Sequence, residues 1–352
     1  MLRFGFFLPL SGALAKIQNV TNAARAAEEL GYDSLWVQDR SLTQTRENYL
    51  NHLVCGSVED IDRSGNPDFF EPLTTLSALA AITSQIRLGT SVLQLPLYNP
   101  ILLAKQAANI DALSQGRMNL GVGIGTGISY ARRGFDNLHF PFGRRGAIFD
   151  EYVTALRQLW HSNSPTTFKG KYVEFTNLEL FPKPEGLRLL LGSGVGEKGL
   201  KRVLDFADGI ILPYRNPDLS GQSVMKIREG LQVRGRSEDE IDIGQTVYCS
   251  IGKSTDEAKA RLYPTISARS RGFSGRAMST DQKSSGSTSS LAAEDFFGMS
   301  LVGTANEVAR QVERFEKAGV DHLVMILVFR GHEYSSLLKA MSGFAKDVIP
   351  SF

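Results

Sequence analysis

The feature that most constrains this chain is an eightfold alternation of short apolar runs with longer segments of helical period. The runs lie at 3–8, 33–38, 86–93, 118–124, 187–192, 208–213, 243–251 and 321–328, and most are nearly continuous in Val, Ile and Leu. Strands buried on both faces have that composition, as a parallel sheet covered by helices requires. The intervening segments are amphipathic. In 18–30, Val20, Ala23, Ala24, Ala27 and Leu30 share one face, and Gly31 stands where a helix-ending glycine belongs. Asn99-Pro100 supplies an N-cap and a first-turn proline for a helix over 100–114 that ends near Gly116. Ser254…Glu257 and Thr304…Glu307 have the spacing of capping boxes. Eight strands each followed by a helix predict an α/β fold, a closed (β/α)8 TIM barrel, as one domain over 1–352.

Three stretches exceed the bare repeat and read as insertions after strands 2, 4 and 7. Residues 40–69 are long and polar; 165–182 alternate like a small hairpin; 264–300 are rich in Ser, Gly and Arg without periodicity. The first and third follow strands two and seven, which places them on the C-terminal rim where barrel enzymes carry their sites. The stretch 264–300 reads as a mobile lid, with a tolerated surface insertion as the alternative.

Charge and cysteine content exclude several classes. With 39 basic and 37 acidic residues the net charge is +2, which gives no reason to expect nucleic acid or an anionic membrane as partner. Cys55 and Cys249 form neither a disulfide framework nor a zinc spacing, and the five histidines are scattered, so no metal is expected. Residues 1–15 imitate a short signal peptide, but Gly5 and Pro9 interrupt the apolar stretch and the first strand needs the same residues. No apolar run reaches membrane-spanning length, so a cytoplasmic location is expected.

Four constellations could carry chemistry. Leu189 to Gly192 runs into Ser193-Gly194-Val195-Gly196 and then a helix, an arrangement that offers free N–H groups and a helix dipole to a phosphate. Phosphate binding of some kind is the better-supported reading, with a tight turn needing glycine as the alternative. The GxGxxG spelled by 194–199 lacks the acidic residue that a dinucleotide fold wants, since the next strand runs into Pro213-Tyr214-Arg215. Gly121, Gly123, Gly125 and Gly127 alternate at the end of strand four, clearing one face for a flat ring or allowing close packing. Arg87 to Pro96 reads as a core strand with a polar exit. Asp39 and Arg40 close strand two and could orient a polar substrate or form a structural ion pair.

Taken together, FGFFLP at 4–9, AAEELGYDSLWVQD at 26–39 and above all IRLGTSVLQLPLYNPILLAKQAANIDALSQGRMNLGVGIG at 86–125 resemble the bacterial luciferase-like monooxygenase family. Segments 142–160, 189–194, 207–213 and 302–325 continue the likeness in order. The resemblance implies FMN or a deazaflavin, coenzyme F420, held at the barrel mouth of a homodimer. It implies that Ser91 and Val92 form a bulge, often with a non-proline cis peptide, behind the ring. Gly123, Ile124 and Gly125 would border the ribityl chain, Gly192, Ser193 and Gly194 would bind the phosphate, Phe7 would floor the pocket, and Tyr130 would help wall it. Asp39 and Arg40 would stand near the reactive ring edge as the catalytic pair. Many relatives carry histidine where this chain has Arg40, and Thr126 replaces a glutamate of some deazaflavin dehydrogenases, which argues against a sugar-phosphate substrate.

Two chemistries suit such a barrel. A monooxygenase using reduced FMN and oxygen on a small organic substrate, with a flavin reductase as electron source, needs a dry, closable pocket, for which Tyr130, Phe135, Phe140 and Phe142 are available. A deazaflavin-dependent hydride-transfer enzyme needs only aligned donor and acceptor. A non-catalytic flavin-binding barrel is the third reading. Arg40, Arg215, Arg330 and His332 at strand ends suggest an anionic or strongly polar group on the substrate.

Overall fold

The computed structural model describes residues 1–39, 68–125, 129–273, 293–331 and 333–352. Its centre is a closed ring of eight parallel strands with helices outside. In ring order these are β1 (Arg3–Phe7), β2 (Ser34–Val37), β3 (Arg87–Thr90), β5 (Met118–Gly123), β8 (Arg188–Gly192), β9 (Gly209–Leu212), β10 (Asp242–Ile251) and β12 (His322–Leu327). The β10–β9 and β10–β12 pairings close the ring back onto β1. Each expected apolar run therefore contains one barrel strand. Two short strands are added: β4 (Leu93–Gln94) prolongs β3 alongside β5, and β11 (Leu301–Gly303) joins the far end of β10. The hairpin read from 165–182 is present as β6 (Thr166–Lys169) and β7 (Glu174–Leu178), paired antiparallel.

The helices are α1 (Ile17–Glu29), α2 (Pro72–Ala80), α3 (Pro100–Leu113), α4 (Ser129–Asn137), α5 (Arg145–His161), α6 (Glu197–Phe206), α7 (Pro217–Val233), α8 (Thr255–Phe273), α9 (Ala293–Gly298), α10 (Ala305–Lys317) and α11 (Tyr334–Asp347). Local chemistry fixes their ends. The Asn99 side chain accepts from the Ile101 and Leu102 amides at 3.0 and 3.1 Å, and Gly31 takes φ +80 beyond α1. The stretch 264–300, though aperiodic in sequence, is not without secondary structure. The α8 helix runs on to Phe273 despite Pro264, and α9 forms at 293–298, while 274–292 lie outside the described residues, as do 40–67.

Strand alternation sorts the apolar side chains into two layers. Phe4 and Phe6 point outward into the layer between strands and helices, where Phe4 meets Phe344 edge-on at 5.4 Å. Phe7, Trp36, Leu190, Ile211, Tyr248, Val324 and Ile326 point inward and fill the barrel. The N-terminal end of the barrel is closed by polar groups. Asp242 accepts from Arg3 at 2.5 Å and Arg188 at 2.8 Å, and His322 Nε2 lies 2.8 Å from the Ser34 hydroxyl, which accepts from Trp36 Nε1 at 2.7 Å. Gly5 makes room for that cluster: a Cβ there would stand 2.5 Å from Trp36 Nε1 and 2.9 Å from His322 Nε2. Burial opposes charge on Asp242, but Arg3 and Arg188 overcome it and hold the carboxyl below its usual range. Among the described residues no helix is long and apolar enough to cross a membrane.

Candidate active site

The C-terminal ends of β3, β5 and β8 meet around one side chain. Pairing of β3 with β5 sets Gly89 opposite Asn119, but β4 resumes with Leu93 opposite Val122, one residue out of step. The extra residue makes a bulge. It contains the expected non-proline cis peptide, between Ser91 and Val92. Beyond it, Val92 turns into the barrel. A Cβ on Gly123 would stand 3.0 Å from one Val92 methyl, and a Cβ on Gly192 would stand 2.8 Å from both. The glycines that end the fourth and fifth barrel strands are therefore the residues against which Val92 is wedged. Any larger residue at 192 would displace it. Ser91, Val92, Gln94, Gly192, Ser193 and Gly194 are all half-buried, so these elements border an open hollow rather than a packed core.

On one side, β8 leads through Ser193, Gly194 and Gly196 into α6. Gly196 is the N-cap and offers no side chain to the first-turn amides, and no atom lies within 4 Å of where a Cβ on Gly194 would be. The Ser193 hydroxyl donates to the Gly194 carbonyl at 2.8 Å. Gly199, part of the run noted from sequence, lets α6 approach: a Cβ there would stand 2.8 Å from Ser193 Oγ. Amides at an uncapped helix start, open space before them and small residues throughout suit an anion such as a phosphate.

On the other side, Gly125 takes φ +80, and a Cβ there would stand 2.9 Å from the fully buried Phe135 ring. Phe142 packs edge-on against Phe135 at 5.2 Å. Ile124 sends its side chain into the outer layer, which leaves its backbone for the hollow. Tyr130 lies in α4, with its side chain outside the described residues, and Phe7 is 3% exposed within the inner cluster. Gln94, which looked like a polar exit, is more than that. Its Oε1 is buried, has no hydrogen-bond partner among the described residues, and lies 3.2 Å from the Cβ position of Gly125. A polar residue in phase with Val92 was the signal that sequence reasoning passed over.

Asp39 reaches the same rim, where its Oδ2 accepts from the Gln94 amide at 2.9 Å. Arg40 and His332 lie outside the described residues. Of the other candidate cations, Arg215 donates to Ser223 of α7, and Arg330 is exposed. Above strands six and seven stands an aromatic stack, with Tyr214 and Tyr248 at 5.2 Å and 15°, and Phe296 of α9 at 5.4 Å from Tyr248.

The residues present fit a tricyclic ring with a phosphate tail: a wedge behind the ring, glycines clearing its path, and a helix start for the anion. Comparisons with known proteins give the family and the fold. Residues 2–322 match the family described as luciferase-like monooxygenase. An F420-dependent glucose-6-phosphate dehydrogenase from Kineococcus radiotolerans is 29% identical over 337 residues, covering 92% of this chain and 90% of that protein. Two solved structures share the fold at 19% identity. One is an F420-dependent secondary alcohol dehydrogenase holding an F420–acetone adduct, with TM-score 0.76 over 99% of this chain and 98% of that one. The other is a monooxygenase from Streptomyces bottropensis, with TM-score 0.75 over 99% of both chains. The chain belongs to the luciferase-like monooxygenase family of oxidoreductases.

Proposed function

We propose that this protein binds FMN with the ring against Val92 and the phosphate at the start of α6, and acts as a monooxygenase on a small organic substrate. The observation that carries the coenzyme site is the wedging of Val92 between Gly123 and Gly192 beside the uncapped α6 start. The inner cluster favours oxygen chemistry. The apolar inner cluster with Phe7, Ile211, Tyr248, Ile326 and Val328 suits chemistry that must be kept from water. Reduced FMN, when bound, supplies electrons that activate oxygen, whereas reduced F420 supplies a hydride to an electrophilic carbon. The chain's own contribution is to bind, to orient and to keep the hollow dry. This reading implies a separate flavin reductase as electron source, and a homodimer.

A second reading, hydride transfer with F420, is favoured by the nearly end-to-end likeness to the Kineococcus enzyme. A sugar-phosphate substrate is not carried over with it, because Thr126 stands where some deazaflavin dehydrogenases carry a glutamate. Titration of the purified protein with FMN and with F420, followed by absorbance, separates the two. FMN binding together with substrate-dependent oxygen uptake supports monooxygenation, and binding of F420 alone selects hydride transfer. If neither coenzyme binds, the site has been misread.

A further inference from the structure

The bulge leaves one backbone amide without a strand to pair with, and Asp39 takes that place. On the β2 side the ladder runs as far as Val37, which sits opposite Thr90, and its carbonyl accepts from the Ser91 amide at 2.8 Å. There β2 ends. After the bulge, β4 is paired with β5 alone, Gln94 lying opposite Gly123. The Gln94 N–H therefore faces the side from which β2 has departed. Asp39, two residues past the end of β2, accepts that N–H with Oδ2 at 2.9 Å.

We propose that Asp39 is a positioning residue: its carboxylate replaces the missing strand partner and pins the bulge, so that Val92 stays wedged between Gly123 and Gly192. Its functional consequence rests on the coenzyme reading above. What the role demands is an acceptor oxygen at this point. A proton carrier would be needed only if Asp39 took part in the chemistry itself.

Asparagine keeps an acceptor oxygen and abolishes proton exchange; leucine removes both. In Asp39→Asn, which keeps the acceptor for the Gln94 amide, FMN or F420 affinity should stay close to that of the wild type, a rescue that Asp39→Leu lacks. In Asp39→Leu, the coenzyme dissociation constant should rise about tenfold, the cost of one lost charged hydrogen bond. Hydrogen exchange at the Gln94 amide provides a second readout that needs no coenzyme, with protection kept in the Asn variant and lost in the Leu variant. Two results overturn the proposal: an Asn variant that loses coenzyme affinity as the Leu variant does, or a Leu variant whose Gln94 amide remains protected. Should the wild type bind neither coenzyme, the functional reading above falls, while the exchange experiment still decides the role of Asp39.

Discussion

Both methyl groups of Val92 lie 2.8 Å from the point where a Cβ on Gly192 would stand. That separation is too short for any side chain, and valine, branched at Cβ, has little rotamer freedom with which to yield. Gly192 is therefore needed for what it lacks, and the fifth strand is tied sterically to the bulge after the third.

Gly192→Ala tests that tie. Overpacking should lower the unfolding free energy by about 1–3 kcal/mol. It should also push Val92 into the hollow, weakening FMN or F420 binding by about tenfold or more. Denaturant melts and coenzyme titrations read the two effects separately. Unchanged affinity would mean that Val92 does not back the bound ring.

His322 makes a pH prediction. Burial pushes its imidazole down to about 4; Asp242 opposes the shift, and Arg3, Arg188 and Arg87 add to it. An unfolded histidine titrates near 6.5, so between roughly 6.5 and 4 the unfolded chain binds a proton that the folded chain refuses. The stability this group contributes is complete above that window and declines as the pH falls through it. By pH 4.5 the loss should amount to about 2–3 kcal/mol relative to pH 7. The raised carboxyls of Asp33 and Asp321 act in the opposite direction, so the comparison is with His322→Gln, which can keep a polar partner for Ser34. Urea midpoints at the two pH values should converge in that variant by the same amount. A wild type and variant with equal pH dependence would refute the assignment.

The barrel and its glycine-lined mouth were legible because their signals are local. Apolar runs, Asn99-Pro100, and the glycines at 121, 123, 125, 192 and 194 each declare themselves within a few residues. What escaped is contact between distant positions. Asp39 and Gln94 are 55 residues apart and Ser34 and His322 are 288 apart, and no periodicity joins them. Helix α8 escaped for another reason. Its second half is a Ser- and Arg-rich stretch that carries no amphipathic stripe, so pattern alone could not extend it to Phe273.

Gln94 carries a cost that substitution should expose. Its Oε1 is buried without a partner among the described residues, and such a group loses its hydration for nothing in return. Gln94→Leu keeps the backbone N–H that Asp39 holds and removes the stranded oxygen. The coenzyme-free protein should gain about 1 kcal/mol in unfolding free energy. Measured by urea denaturation, a loss of that size would show that the amide is satisfied in solution.

Gly194 distinguishes a phosphate site from a mere turn. Nothing lies within 4 Å of where its Cβ would stand, and its φ is not among the positive ones, so Gly194→Ala should fold with its denaturation midpoint almost unchanged. The added methyl would project into the open space that precedes α6, which an anion bound at its start would need. FMN and riboflavin differ only in the phosphate, which makes their affinity ratio a readout of this corner alone. In the wild type the ratio should favour FMN, and the alanine variant should shrink it by about tenfold while leaving riboflavin binding intact. Equal losses for both ligands would place the methyl against the ring or ribityl chain. No loss for either would return Gly194 to the ordinary role of a turn glycine and remove the anion from the start of α6.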